Sequence, residues 1–543
     1  MGRGRSWALA QSLFLAGIVS AIESSGECAL ATTTIYLPTT IYVSVPNITS
    51  SREGDSCAVT SSSSITIGTS TSSSDGTTDV GIPTSTSTVP TSSSDFSSTV
   101  SSTSLTSISI TPTSRGNSSI TTGTFVPTST QFPTPTSIGG LPPPPPPPPP
   151  GPFRGFKNTV YFTSWGIAQS QYIPQKLPVD DLSHVLYAFT DIAPNGTVLP
   201  ANPKADLDQK YPDDAHWEPG RNVYGAVKQL YVHKKWNRQL KVLLSIGGGE
   251  FSPKFAAATS TEMRRQTFAQ SAVKIVTDWG FDGVDIDWEY PTNEAERDNL
   301  VKLVAACRET FDRYSFYNRL QYRFLVTVAS PAGPTNWRFV DLPRMDRYVD
   351  IWHLMSYDYT GSWNPKSGHQ ANVFMNKANV ASTPLNTDDA VRHYESQGIS
   401  GQKIVIGLPL YGRSFNGTSG LGQNYTSIGT GGPQPGVWYY KDLPKAGGHE
   451  NFDEVAKATY SYDQMRRELV SYDNIQSTAF KAQYVRNRRL GGAFFWEASG
   501  DRADHGSLVK TMSRSLDWLD STPNNLRYPT SQYMNIRYGM PGA

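Results

Sequence analysis

From about residue 155 onward, short runs rich in apolar and β-branched residues alternate with longer stretches in which apolar positions recur every three or four residues. The short runs read as strands buried on both faces, the longer stretches as amphipathic helices. Strands are predicted over Val160–Ser164, His184–Phe189, Val242–Ile246, Gly283–Asp287, Leu325–Ala329, Ile351–Tyr357, Ile404–Pro409 and Gly492–Trp496. Between them, Thr259 and Glu262 form a capping-box pair ahead of Phe268, Ala272, Ile275, Val276 and Trp279 on one stripe. Leu300, Leu303, Val304, Cys307 and Phe311 form a second stripe. Eight strands separated mostly by helices predict an α/β fold, a closed parallel (β/α)8 TIM barrel, with an open doubly wound sheet as the alternative. In a barrel, functional groups gather at the carboxyl ends of the strands.

The gap between the last two strands is too long for one helix. Residues 414–475 hold Gly-rich turns, the aromatic cluster Trp438-Tyr439-Tyr440 and a helical pattern near Tyr462 to Leu469. They predict a small α+β insertion subdomain between strands seven and eight, forming one wall of a deepened cleft.

Upstream, the pattern is of another kind. Arg3 and Arg5 precede an apolar stretch ending in Val19-Ser20-Ala21, so residues 1–21 read as a secretory signal peptide. That stretch is shorter than the roughly 20 apolar residues a membrane span needs. Residues 22–57 form a short segment, and residues 58–152 are a Ser/Thr/Pro-rich linker ending in the proline run Pro142 to Pro150. Such a composition cannot bury a core and reads as a disordered stalk followed by a stiff spacer. The folded domain is assigned to residues 155–520 and a carboxyl-terminal tail to residues 521–543.

A net charge of +1 argues against a dominant attraction to nucleic acid or anionic membrane. Cys28 and Cys57 are expected to pair in an oxidising compartment, whereas Cys307 lies on a buried stripe. No Cys/His spacing suggests a metal site, and no cofactor is expected. Sequons at Asn47, Asn117, Asn195, Asn416 and Asn424 suit a secreted glycoprotein. Localisation is expected to be extracellular, with cell-wall association an open option, and the chain is expected to act as a monomer.

The most informative run is Phe281-Asp282-Gly283-Val284-Asp285-Ile286-Asp287-Trp288-Glu289. In a strand, Asp285, Asp287 and Glu289 share one face, roughly 6 to 7 Å apart at Cα, while Asp282 has the other parity and is expected to be structural. Crowded carboxylates oppose joint ionisation, so one of them holds its proton unusually long, as a general acid must. A cation site or a solvated edge is the bland alternative.

With Ser245-Ile246-Gly247-Gly248, Met355-Ser356-Tyr357-Asp358, Tyr411-Gly412-Arg413 and Trp496 in order along the chain, the region from Gly155 to Leu519 resembles the fungal chitinases of glycoside hydrolase family 18. The resemblance implies that Glu289 protonates the glycosidic oxygen. It also implies that the substrate's own 2-acetamido group attacks the anomeric carbon, with retention of configuration. Asp287 would then orient that acetamido group, Asp285 would share a proton with Asp287, and Tyr357 with Asp358 would hold the acetamido group and the sugar at the reacting subsite. Substrate contacts would come from Asp358, Met355, Arg413, Trp496, Gly248 and Trp288, with Tyr161 and Ser245 supporting Asp285. The implied partners are chitin and chitooligosaccharides.

Two departures stand out: Gly249-Glu250-Phe251 follows the double glycine where many relatives have Trp, and His353 stands where many have Asn. Trp165, Trp337, Trp363 and Trp438 are further stacking candidates. An endo-β-N-acetylglucosaminidase, or a chitin-binding lectin or wall glycoprotein on an inactive barrel, are the competing readings.

Overall fold

In the computed structural model, residues 153–215 and 218–541 are described. The signal, the Cys28–Cys57 pair, the stalk and the sequons at Asn47 and Asn117 lie outside them.

Fourteen strands are found among the described residues. Eight are parallel and form the barrel: β1 (Lys157–Thr163), β2 (His184–Ile192), β4 (Lys241–Gly247), β5 (Gly283–Asp287), β6 (Leu325–Pro331), β7 (Ile351–Met355), β8 (Ile404–Pro409) and β14 (Gly492–Trp496). The sheet runs β1-β14-β8-β7-β6-β5-β4-β2 and closes through β1 pairing with β2, which excludes the open doubly wound alternative. A short strand β3 (Val198–Pro200) pairs antiparallel at the end of β2.

Strand parity sets two cores. Side chains such as Leu186, Leu243, Ala329, Ile351, Val405 and Phe494 point inward and fill the barrel. Their neighbours, such as Val160, Val242, Val284, Val326 and Trp352, point outward and pack under the helices. Both faces of every barrel strand are therefore buried, which is why the strands read as continuous apolar runs. The helix Glu294–Tyr317 buries Leu300, Leu303, Val304, Cys307 and Phe311 as its stripe demands. Burial pushes the Cys307 thiol up to about 12, so it is unreactive packing.

Two local expectations change. The helix Glu262–Trp279 is capped by Thr261, whose side chain accepts from the Arg264 amide. Thr259 instead ends the preceding short helix, bonding back to the Phe255 carbonyl at 2.8 Å. The insertion is a five-stranded antiparallel sheet of β9 (Tyr411–Asn416), β10 (Val437–Tyr439), β11 (His449–Asp453), β12 (Ala458–Asp463) and β13 (Glu468–Tyr472). The helical share of the expected α+β subdomain shrinks to a single 3-10 turn, Tyr440–Asp442. The pattern near Tyr462 to Leu469 is a hairpin, closed where Asp463 accepts the Arg466 amide and Arg467 takes a left-handed backbone. Met465, midway along that stretch, is 95% exposed, so no apolar face existed for a helix to bury.

The floor of the barrel is sealed by the carboxyl-terminal segment. The Asn524 side-chain amide donates to the carbonyls of Lys234, Asn237 and Leu240, and the Tyr528 hydroxyl donates to the Phe281 carbonyl. Asp282 sits at this end, fully buried. It accepts from the amides of Val242 and Asn525 and from Tyr322, and pairs with Lys234 Nζ at 2.8 Å. It lies at this end because it immediately precedes β5, and its parity turns it away from the acidic line.

Candidate active site

A cleft of about 640 Å³ opens at the carboxyl ends of the barrel strands. Its walls include Trp165 after β1, Phe189 on β2, Gly249 after β4, Tyr357 after β7, Arg413 on β9 and Trp496 on β14. Asp287 and Glu289 line it, as do Met355 and Asp358.

Asp285 lies one inward position deeper, fully buried, and receives one donor from each of four strands. Tyr161 (β1) and Ser245 (β4) donate to Oδ2 at 2.9 Å each. Thr327 (β6) donates to Oδ1 at 2.6 Å, and His353 (β7) approaches the same oxygen through Nδ1 at 3.0 Å. A carboxylate can only accept, so Nδ1 carries the hydrogen. Burial works to raise the Asp285 carboxyl, but the bond and field of His353, with Thr327 and Tyr161, outweigh it and leave it below its usual value. The inner acid is thereby held as an anion. His353 and Thr327 were missed as contributors by the sequence reading; His353 was visible there only as a departure.

The next acid behaves oppositely. Burial first, then the charges of Glu289 and Asp285, push Asp287 well above the usual carboxylate range. Its Oδ1 is buried without a hydrogen-bond partner, and Asp285 spends its oxygens on the four donors. Glu289 is also raised, chiefly by burial, with the charge of Asp358 adding and a hydrogen bond from Tyr290 opposing. The line thus presents one fixed anion and two proton-retaining acids, a graded set that equal spacing alone did not foretell.

Backbone geometry brings these groups close to the loop after β4. Gly247 and Gly248 have φ of 110° and 72°; a Cβ on the first would strike the Asp287 carbonyl oxygen at 2.2 Å, and on the second the Phe189 ring at 2.3 Å. Ser252, unremarked in the sequence, accepts the Glu289 amide and donates to the Asp287 carbonyl.

On the opposite side, Arg413 holds Asp358 with two bonds, Nε to Oδ1 at 2.5 Å and Nη2 to Oδ2 at 2.6 Å, and Tyr411 donates to Oδ1. Burial works to lower the guanidinium, yet its bonds to Asp358 carry it above its ordinary value. Tyr357 keeps its proton: burial, then the field of Tyr411 and of the acids, raises it well above the usual phenol range. Gly407 makes room for it, since a Cβ there would meet the Tyr357 ring at 2.6 Å. Trp496 stacks on Phe189 at 5.6 Å between centroids and meets Tyr161 edge-on, forming the aromatic floor.

Trp288 does not join the site. Its parity is that of Ile286, and it is buried in the outer core, stacked on Phe255 at 5.1 Å. Of the other tryptophans, Trp165 lines the cleft and Trp363 is exposed over the Arg413 guanidinium. Trp337 stacks on His393 in a separate groove, and Trp438 lies under Lys445.

A closed parallel barrel whose strand ends gather proton-retaining carboxylates over an aromatic floor is the architecture of a barrel glycoside hydrolase. The profile of glycosyl hydrolases family 18 matches residues 157–501, and the chain belongs to that family. It is 47% identical to endochitinase 1 of Metarhizium robertsii and 45% identical to chitinase 1 of Aphanocladium album. Each alignment covers 71% of this chain and 91% of the relative. Among solved structures, the catalytic domain of the psychrophilic chitinase B from Arthrobacter TAD20 superposes with a TM-score of 0.62 at 28% identity, over 69% of this chain and 97% of that one.

Proposed function

We propose that the chain is a secreted chitinase that hydrolyses β-1,4 bonds between N-acetylglucosamine units with retention, using the substrate's acetamido oxygen as nucleophile. The observation that carries this reading is the bare, buried Oδ1 of Asp287 in the cleft wall. A buried acceptor without a donor is costly, and an acetamido N–H supplies the missing one.

In this reading Glu289, which retains its proton, delivers it to the glycosidic oxygen as the bond to the anomeric carbon breaks. The acetamido carbonyl oxygen attacks that carbon from the other face and closes an oxazolinium ring. Asp287 accepts the acetamido N–H, which turns the carbonyl toward the anomeric carbon, and Tyr357 donates to that carbonyl. The ionised Asp285 behind them favours the developing positive charge. Glu289, now an anion, takes a proton from the water that opens the ring, so the product keeps the β configuration. Trp496 presents its face to the sugar being distorted, and the Asp358–Arg413 pair borders it.

Asn195 and Asn424 are exposed sequons on the folded domain, which suits passage through a secretory route. No helix among the described residues is long and apolar enough to cross a membrane. The test is Glu289→Gln on a fluorogenic chitotriose: the rate should drop at least ~100-fold, the low end of what one general acid supplies. NMR of early products should show the β-anomer, and predominant α-product rejects acetamido attack.

A further inference from the structure

One acid in the cleft has no counter-charge. Glu250 lies in the single helical turn Gly248–Phe251, lines the cleft and is exposed. Its carboxylate makes no hydrogen bond or ion pair among the described residues. Its neighbour Gly249 faces the proton donor, since a Cβ there would lie 3.7 Å from Glu289 Oε1, and Glu250 follows it along the same cleft wall.

The cations that could neutralise Glu250 are committed elsewhere. Lys254, four residues on, pairs with Asp191 at 2.5 Å and lies over the Phe251 ring. Arg413 is the one cation lining the cleft, and both its bonds go to Asp358. Beyond the Arg413–Asp358 pair, the lining carboxyl groups are Glu250, the proton-retaining Asp287 and Glu289, and Glu497. Glu497 is raised by burial and is satisfied by Thr163 and Ser499, while Asp287 keeps a bare oxygen. An exposed carboxylate on the cleft wall with no cation beside it attracts cationic sugar.

We propose that Glu250 reads the substrate's acetylation pattern, favouring partly deacetylated chitin by pairing with the ammonium group of a glucosamine unit next to the bond being cut. The inference rests on the chitinase reading and sharpens its substrate class. The unit recognised is not the one whose acetamido group attacks, since a free amine there offers no nucleophilic carbonyl oxygen. Its ammonium would stand where Glu250 and the Glu289 side of the cleft converge.

The test compares kcat/KM on partly deacetylated chitin oligomers with kcat/KM on fully acetylated oligomers of the same length, for wild type, Glu250→Gln and Glu250→Lys. The ratio should fall roughly two- to fivefold in Glu250→Gln, as for a solvent-exposed ion pair, and further in Glu250→Lys. The wild-type ratio should also shrink at high salt. Equal scaling of both substrates in the variants, or a ratio insensitive to salt, overturns the proposal. Wild-type turnover of the fully acetylated oligomers checks the chitinase reading separately, so the two can fail independently.

Discussion

The Ser252 hydroxyl takes the amide hydrogen of Glu289 at 2.6 Å and points its own hydrogen at the Asp287 carbonyl 3.3 Å away. One buried side chain from the loop after β4 thus ties together the backbone on both sides of Trp288. Asp287 is the last residue of β5 to pair, opposite Gly247, and Glu289 lies beyond it, so this bridge stands in for the ladder bond lost after the strand ends. Ser252→Ala should leave the fold intact and lower kcat roughly tenfold with little change in KM, because a small misplacement of a proton donor is costly to rate. Steady-state kinetics on chitotetraose checks it; an unchanged kcat would show that the strand end is rigid without the serine.

The raised proton affinity of Glu289 sets the pH dependence. A general acid works only while protonated, so activity falls as pH rises through its pKa, and burial has moved that point above the ordinary glutamate value. The alkaline limb of kcat/KM against pH should therefore lie above 4.5, the unperturbed value. Asp287 and Glu289 titrate as a pair, so the limb belongs to both. Asp358→Asn removes a charge that raises Glu289 and should draw the limb toward lower pH. A limb at or below the unperturbed value would be incompatible with Glu289 as the proton donor.

Much of this site was legible because strand parity is strict. A period of two places Asp285, Asp287 and Glu289 inward and turns Asp282 away from them, and it also sends Trp288 into the outer core, where the same rule should have placed it from the start. What parity could not supply was the set of partners from other strands. Thr327 and His353 meet Asp285 only because β6 and β7 lie beside β5 in the closed barrel, and no local pattern in either strand announces it. Nor does periodicity separate a hairpin from a helix over so short a stretch as Tyr462 to Leu469, where the exposure of Met465 decided the matter. The carboxyl-terminal segment reads as a polar tail in sequence, yet Asn524 and Tyr528 fasten it to the barrel floor through bonds to distant carbonyls.

His353 holds Asp285 ionised, and that role separates two substitutions. Leucine removes the Nδ1 donor, whereas asparagine can present an amide N–H to the same oxygen. His353→Leu should lower kcat/KM about tenfold or more, the worth of a hydrogen bond to a buried charge, while His353→Asn should keep most activity. Stability carries the same signature. The folded Asp285 pKa is depressed, so its contribution is present above the unfolded value and is lost as pH falls through the folded one. In His353→Leu that loss should begin at higher pH, which urea unfolding between pH 3 and 7 measures. Equal losses in both variants would point to packing against Phe494, 5.3 Å from the imidazole, as the whole of its role.

Asp282 tests the division of labour along the acidic run, since it lies in the same motif but at the other end of the barrel. Lys234 and Asp282 are both fully buried, and Lys234 further donates to the Gly280 carbonyl and to Tyr528. Burial lowers Lys234 to about 8 even with Asp282 opposing that shift, so the lysine depends on its partner to stay charged at neutral pH. Asp282→Asn leaves the ammonium without its counter-ion and weakens the bonds from Val242, Tyr322 and Asn525. The cost should be about 3 to 5 kcal/mol of stability, as for other broken buried pairs. The variant should melt at a lower temperature, yet the fraction still folded at 20 °C should turn over substrate at close to the wild-type kcat. A large drop in kcat with unaltered melting would instead place Asp282 in the chemistry and overturn its assignment to the barrel floor.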